Sequence, residues 1–194
     1  MRTTLNQIRA HDPCRDGWGR LLRGLGKTAA DDEPLWIDTI LDHNGLDDAL
    51  WCLHTIEGCD REIRLYAVWC ARRVYHLMND PRSVAALDVA ERYARGEASD
   101  KELSLACAAA EEASAALAWA APAAAEAAAA AWVAVASAAE EAARRSAEAS
   151  MWAAARSAGA GGAGAGASAA RDTERAAQAD ELRRVCSEMR EAKP

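Results

Sequence analysis

Four groups of residues have the types and spacing to suggest chemistry. Gly24-Leu25-Gly26-Lys27-Thr28 carries the glycines, lysine and hydroxyl that end a phosphate-binding loop. Such a loop also needs a glycine five residues before Gly26, where Leu21 stands, and a buried strand leading into it. The pattern before Gly24 reads as helix, so this stretch is read as a glycine-rich helix terminus. Cys52, His54, Cys59, Cys70 and His76 are metal-ligand types. Structural zinc sites pair their ligands two to four residues apart on turns or helix starts. Cys52 and His54 fall on a helix-patterned segment and point in different directions. Buried thiols and helix-surface histidines are expected there, with no metal and no cofactor. His11 with Cys14 could pose as base and nucleophile, but such a pair needs an activated thiolate beside an oriented base. Asp31-Asp32-Glu33 and Asp47-Asp48 could act as acid and base. Such pairs more often cap helices and favour the helix dipole. No catalytic residue is assigned, and no enzymatic activity is expected.

The elements that must carry these groups are helices. Asp60 is a good N-cap, and Arg61 to Met78 should follow as helix. Ile63, Ala67, Cys70, Val74, Leu77 and Met78 share one face, widened by Tyr66 and Ala71. Arg64, Arg72, Arg73 and His76 keep part of its surface polar. A helix so apolar is usually central. Leu46 to Ile56 should form a helix before it, stopped at Gly58, and the two should make a hairpin. The expected core is Trp18, Leu50, Trp51, Leu53, Ile63, Ala67, Trp69, Cys70, Val74 and Leu87.

The remaining pattern is also helical. Thr4 with Gln7 makes a capping box for a short first helix. Asp12-Pro13 should open the next, with Trp18, Leu21, Leu22 and Leu25 as its stripe. Pro34 should open a helix with Leu35, Ile37, Ile40 and Leu41 inward, Trp36 off the stripe, and Asn44-Gly45 as its stop. Asp80-Pro81 restarts a helix that Gly96 ends, and Ser99 with Glu102 is a second capping box. From Asp100 to about Ala158 the chain is alanine-rich, and alanine has the best helix propensity. Pro122 must kink or split this tract, giving two long helices with an alanine seam and Trp119, Trp132 and Trp152 filling gaps. Gly159 to Gly166 is a flexible break. A last helix over Ser168–Ala192 should bury Leu182, Val185, Cys186 and Met189. The fold class is all-α. A head of about six short helices (1–98) packs with long alanine-rich helices (99–158), a Gly/Ala linker (159–167) and a C-terminal amphipathic helix (168–194).

Charge narrows the function. The chain has 194 residues, 23 basic and 30 acidic, for a net charge of −7. That argues against nucleic acid as a direct ligand, which requires clustered Lys and Arg. No stretch of bulky apolar residues could span a bilayer, and no N-terminal run reads as a signal peptide. Six cysteines without such a signal read as reduced thiols in a bacterial-type cytoplasm. From Thr28 to Glu62 ten carboxylates face one arginine. An acidic surface there could meet a basic partner.

Several collinear stretches carry a resemblance. They are LNQIRAHDPC (5–14), GKTAADDEPL (26–35), NGLDDALWCL (44–53), DREIRLYAVWCA (60–71) and DPRSVAALDVAERYARGEASDKEL (80–103). In this order the chain resembles a family of immunity proteins associated with prophages and toxin loci, whose members join such a head to a tail rich in alanine and tryptophan. The resemblance covers about the first hundred residues, and the tail matches in composition. It implies a protein that neutralises a bacterial toxin by binding it. The phage setting implies a related task, blocking a host defence complex such as CRISPR–Cas. It carries over no catalytic residue.

The expected partner-binding surface is Asp31, Asp32, Glu33, Asp38, Asp42, Asp47 and Asp48, with Trp36 as an aromatic anchor. In a sharper form these carboxylates mimic nucleic-acid phosphates in a basic groove. The alternatives are a structural protein that homodimerises through its alanine-rich helices, and a metal-binding or Cys/His enzyme.

Overall fold

The computed structural model describes residues 1–117, 121–136, 139–159 and 164–192, apart from the side chains of Ala136 and Glu140. Trp119 and the centre of the expected glycine break lie outside the described residues. The fold is all-α. Among the described residues, ten α-helices are accompanied by one pair of two-residue strands, β1 (Arg2–Thr3) and β2 (Leu35–Trp36). The chain forms two compact units, one of residues 1–59 with 179–194, the other of 60–178. The division falls between Cys59 and Asp60.

The first unit is made of short helices with large aliphatic side chains. Helix α1 (Leu5–Ala10) is capped by Thr4, whose Oγ1 accepts from Gln7 N at 3.1 Å. Helix α2 (Arg15–Gly24) begins later than Asp12-Pro13 predicts. Its cap is the Cys14 thiol, which accepts from Gly17 N at 3.3 Å, while Asp12 adopts a left-handed φ of 51°. Two glycines in α2 serve close approach. A Cβ on Gly17 would stand 2.8 Å from Asp48 Oδ2, and one on Gly24 would stand 2.6 Å from His43 Nδ1. Leu35 and Trp36 do not open a helix after Pro34. They form β2 antiparallel to β1, with Arg2 opposite Trp36 and Thr3 opposite Leu35. Thr3 Oγ1 then lies 2.7 Å from Thr55 Oγ1 in the interior.

Helix α3 (Ile37–Asn44) stops at Gly45, where φ is +88°. Helix α4 (Leu46–Trp51) follows and tightens into a 3-10 turn, Cys52–Thr55, so the expected helix to Ile56 is shorter. Ile37, Ile40, Leu50 and Leu53 are buried in this unit, with Leu182 and Cys186 from its C-terminal segment. Each such aliphatic side chain contributes about 1.5–3 kcal/mol on burial.

The second unit is built on α5 (Asp60–Arg72), which packs against α6 (Pro81–Ala94), α8 (Pro122–Ala136) and α9 (Ala139–Gly159). Ile63, Tyr66, Ala67, Val68, Cys70 and Ala71 of α5 are buried. The helix ends at Arg72 and not at Met78, and a 3-10 turn, Tyr75–Leu77, succeeds it. Asp80 caps α6, its Oδ1 accepting from Arg82 N at 2.9 Å, and Gly96 follows that helix with φ +77°. Helix α7 (Asp100–Leu117) opens with the complete capping box: Ser99 N donates to Glu102 Oε2 at 2.9 Å, and Glu102 N to Ser99 Oγ at 3.3 Å.

Pro122 splits the alanine tract by starting α8, where its missing N–H costs nothing. The tract forms three helices, α7, α8 and α9, where two were expected. Ala127, Ala128, Ala130, Ala131, Ala134, Ala142 and Ala143 are all buried between them. Ser146 Oγ donates to Ala130 O at 3.0 Å across that seam. Arg64, expected at the surface, is buried. Its Nη1 donates to Ala134 O at 3.0 Å, on the last turn of α8, where carbonyls lack helical partners. Helix α10 (Gly164–Glu191) begins inside the glycine run, before Ser168. Of the expected core, Leu50, Leu53, Ile63, Ala67, Cys70, Val74 and Leu87 are buried, while Trp18, Trp51 and Trp69 are half-buried. The indoles are too large to bury fully on helices this short.

Candidate functional site

The acidic stretch is the site the sequence singled out, and most of its carboxylates already hold a partner within the first unit. Lys27 Nζ donates to Asp31 Oδ2 at 2.6 Å and to Glu33 Oε2 at 2.7 Å. The Asp31 bond, then the Glu33 bond, raises the Lys27 pKa, and the same ammonium lowers that of Asp31. Lys27 is thus held by carboxylates at the end of a helix, which accounts for the phosphate-loop-like pattern. Asn6 Nδ2 donates to Asp32 Oδ1 at 2.9 Å. Asn44 Nδ2 donates to Asp48 Oδ2 at 2.8 Å and to Gly17 O at 2.8 Å, joining α2 to α4.

The two carboxylates on α3 are taken by the C-terminal segment. Arg190 Nη2 lies 2.8 Å from Asp38 Oδ2, and Arg183 Nη2 lies 3.0 Å from Asp42 Oδ1. Trp36 is half-buried, flanked by two guanidiniums: Arg190 Cζ is 4.4 Å from its ring centroid and Arg2 Cζ 5.3 Å. Asp32, Glu33, Asp42 and Asp47 are exposed, whereas Asp31, Asp38 and Asp48 are half-buried.

Sequence reasoning missed Arg2, Asn6, Arg183 and Arg190. A signal was present for the two arginines of α10. They are seven residues apart, one face of a helix, and Asp38 and Asp42 are four apart, one face of another. What the sequence does not provide is that the two faces meet.

The candidate catalytic and metal groups are placed separately. Cys14 Sγ caps α2, and His11 rests edge-on against His54, with centroids 4.7 Å apart. His54 Nδ1 is hydrogen-bonded to Trp51 O. Cys52 is buried, and that burial, with Asp48 nearby, pushes its thiol up to about 12. Burial raises Cys186 in the same direction. Cys14, Cys52, Cys107 and Cys186 are free thiols. Among the described residues, no three His, Cys, Asp or Glu side chains are grouped as metal ligands. Among the described residues, no helix is long and apolar enough to cross a membrane.

The second unit contains a buried polar network that the sequence did not reveal. Glu174 is buried and receives Arg73 Nε at 2.8 Å and Gln178 Nε2 at 3.3 Å. Gln178 Nε2 also donates to Ala147 O at 2.9 Å and Ser150 Oγ at 3.0 Å, and Tyr66 Oη donates to Gln178 O at 3.2 Å. Each group is satisfied by a neighbour on α9 or α10, on α5, or, for Arg73, just past the end of α5, so the network fixes how these helices pack.

The fold defines an all-α, multi-helix protein. No family model, no curated protein and no solved structure matches the chain.

Proposed function

We propose that this chain is a non-enzymatic inhibitor that works by gripping a basic surface of another protein, a bacterial toxin or a host defence complex, in the cytoplasm of a bacterial host. The observation that carries the reading is the charge of Thr28–Glu62, where ten carboxylates stand against one arginine. An intramolecular precedent supports it. Asp38 and Asp42 each hold a guanidinium, and Trp36 holds two. Arginines on a partner would find the same chemistry. Asp32, Glu33 and Asp47 are the exposed carboxylates of the stretch that do not reach the C-terminal arginines, and they would face the partner.

The test is affinity capture of the target from the native host by the wild-type chain and by a D32K/D47K variant. Charge reversal at two rim positions should weaken capture by at least about tenfold while the helical circular dichroism spectrum is unchanged. Binding should also weaken as salt rises above about 0.15 M. Capture indifferent to both would end the acidic-face reading. The homodimer alternative has less surface to work with, because the alanines of α8 and α9 are already buried within one chain. Light scattering at micromolar concentration separates the two.

A further inference from the structure

The second unit has a groove that this reading does not use. It is formed by the turn Tyr75–Leu77, the start of α8, the end of α9 and the start of α10, and its volume is about 820 Å³. That lies in the range of small-molecule sites, roughly 300–1,000 Å³. Leu77, Pro122 and Trp152 give it apolar walls, and Trp152 is 38% exposed. Among the described residues no Asp or Glu lines it, while Arg156, Arg171 and His76 do.

The two arginines differ. Arg156 is paired with Glu126 at 3.1 Å. Arg171 stands with its Cζ 5.3 Å from the Trp152 ring centroid, and it has no carboxylate partner among the described residues. Elsewhere in the same unit Arg72, Arg73, Arg82 and Arg92 each hold a carboxylate of their own chain. In an acidic protein, a guanidinium left over an aromatic face at an apolar groove is complementary to an anion with an apolar body.

We propose that this groove binds a small apolar monocarboxylate of the medium-chain acid class. The chain lies on Trp152, Leu77 and Pro122. The carboxylate takes the guanidinium fork of Arg171, the planar donor pair that matches it bidentately. One free guanidinium suits a single negative charge; a phosphate dianion would call for more unpaired cations than the groove has. The site is independent of the acidic face in the first unit.

The probe is decanoate, titrated into the full chain by calorimetry, with decanol and decylammonium as neutral and cationic counterparts. Decanoate should bind once per chain and quench tryptophan fluorescence. Decanol and decylammonium should bind at least about tenfold more weakly, the scale of one charge-assisted hydrogen bond. Arg171→Gln should bring decanoate down to the level of decanol, and Trp152→Ala should weaken decanoate and decanol together. Three results would overturn the proposal: no decanoate binding at millimolar concentration, equal binding of decylammonium, or undiminished binding by a folded Arg171→Gln variant.

Discussion

The two units solve the packing of helices in opposite ways. The first uses short helices and fills its interior with Ile37, Ile40, Leu50 and Leu53, and its Gly17 and Gly24 make room for the side chains of Asp48 and His43. The second packs α8 against its neighbours through alanine, so those backbones can approach, and it adds a buried polar network beside larger core residues such as Ile63, Val68 and Leu87. The first unit therefore depends on volume present in side chains, and the second on volume withheld from them. Charge does not follow that split: each unit pairs a buried carboxylate with an arginine that reaches solvent, Glu181 with Arg184 in the first and Glu174 with Arg73 in the second.

The sharpest way to test this contrast is to remove volume from the first unit. Ile40→Ala, at a fully buried position, should cost about 2–5 kcal/mol by chemical denaturation. A cost below about 1 kcal/mol would mean the unit can collapse around the loss. Next in size is the internal ion pair. Arg73→Met leaves the Glu174 carboxylate buried without its cation and should cost about 2–3 kcal/mol, below the usual figure for a buried pair because Arg73 is about a third exposed. The double variant Arg73→Met/Glu174→Gln should recover part of that loss, and a double variant less stable than Arg73→Met would show the carboxylate was not the source.

The converse of the first test follows. Adding volume to the alanine seam with Ala131→Leu should cost about 1–3 kcal/mol through overpacking, although leucine is also a good helix former. Unchanged stability there would erase the distinction between the units.

The smallest effect concerns pH. The Ser99 backbone N–H, then Arg92, holds the Glu102 carboxyl down to about 2 from its ordinary 4.5. A depressed carboxylate stabilises the fold above its unfolded pKa, and that contribution is lost as pH falls from 4.5 through 2. Amide exchange in the first turn of α7 should therefore quicken over that window, and Glu102→Gln should flatten the dependence.

Much of this was legible in the residues. Asp80-Pro81, the Ser99–Glu102 box, Gly45 and Gly96 act where their local chemistry places them, because caps and left-handed stops need only neighbours. Features that depend on distant parts of the chain were not. Asp12-Pro13 looked like a helix start, yet Cys14 takes the cap in the folded chain. Nothing between Arg72 and Met78 resembles a stop, since Val74 and Leu77 continue the apolar pattern, and still α5 ends. Two-residue strands are too short to show alternation, so Trp36 gave no sign of pairing opposite Arg2. The acidic stretch was visible in full, but the arginines that occupy Asp38 and Asp42 lie more than 140 residues away.

Helix α10 gives the chain a timetable. Residues 60–178 are all the second unit requires, whereas the first, begun at residue 1, needs Leu182, Val185 and Cys186 from the far end of the sequence. During synthesis the later-made body has its complete chain first, while the opening 59 residues wait with an unfilled interior until the closing helix leaves the ribosome. Asp38 and Asp42 meet Arg190 and Arg183 only after residues 60–178 have been made.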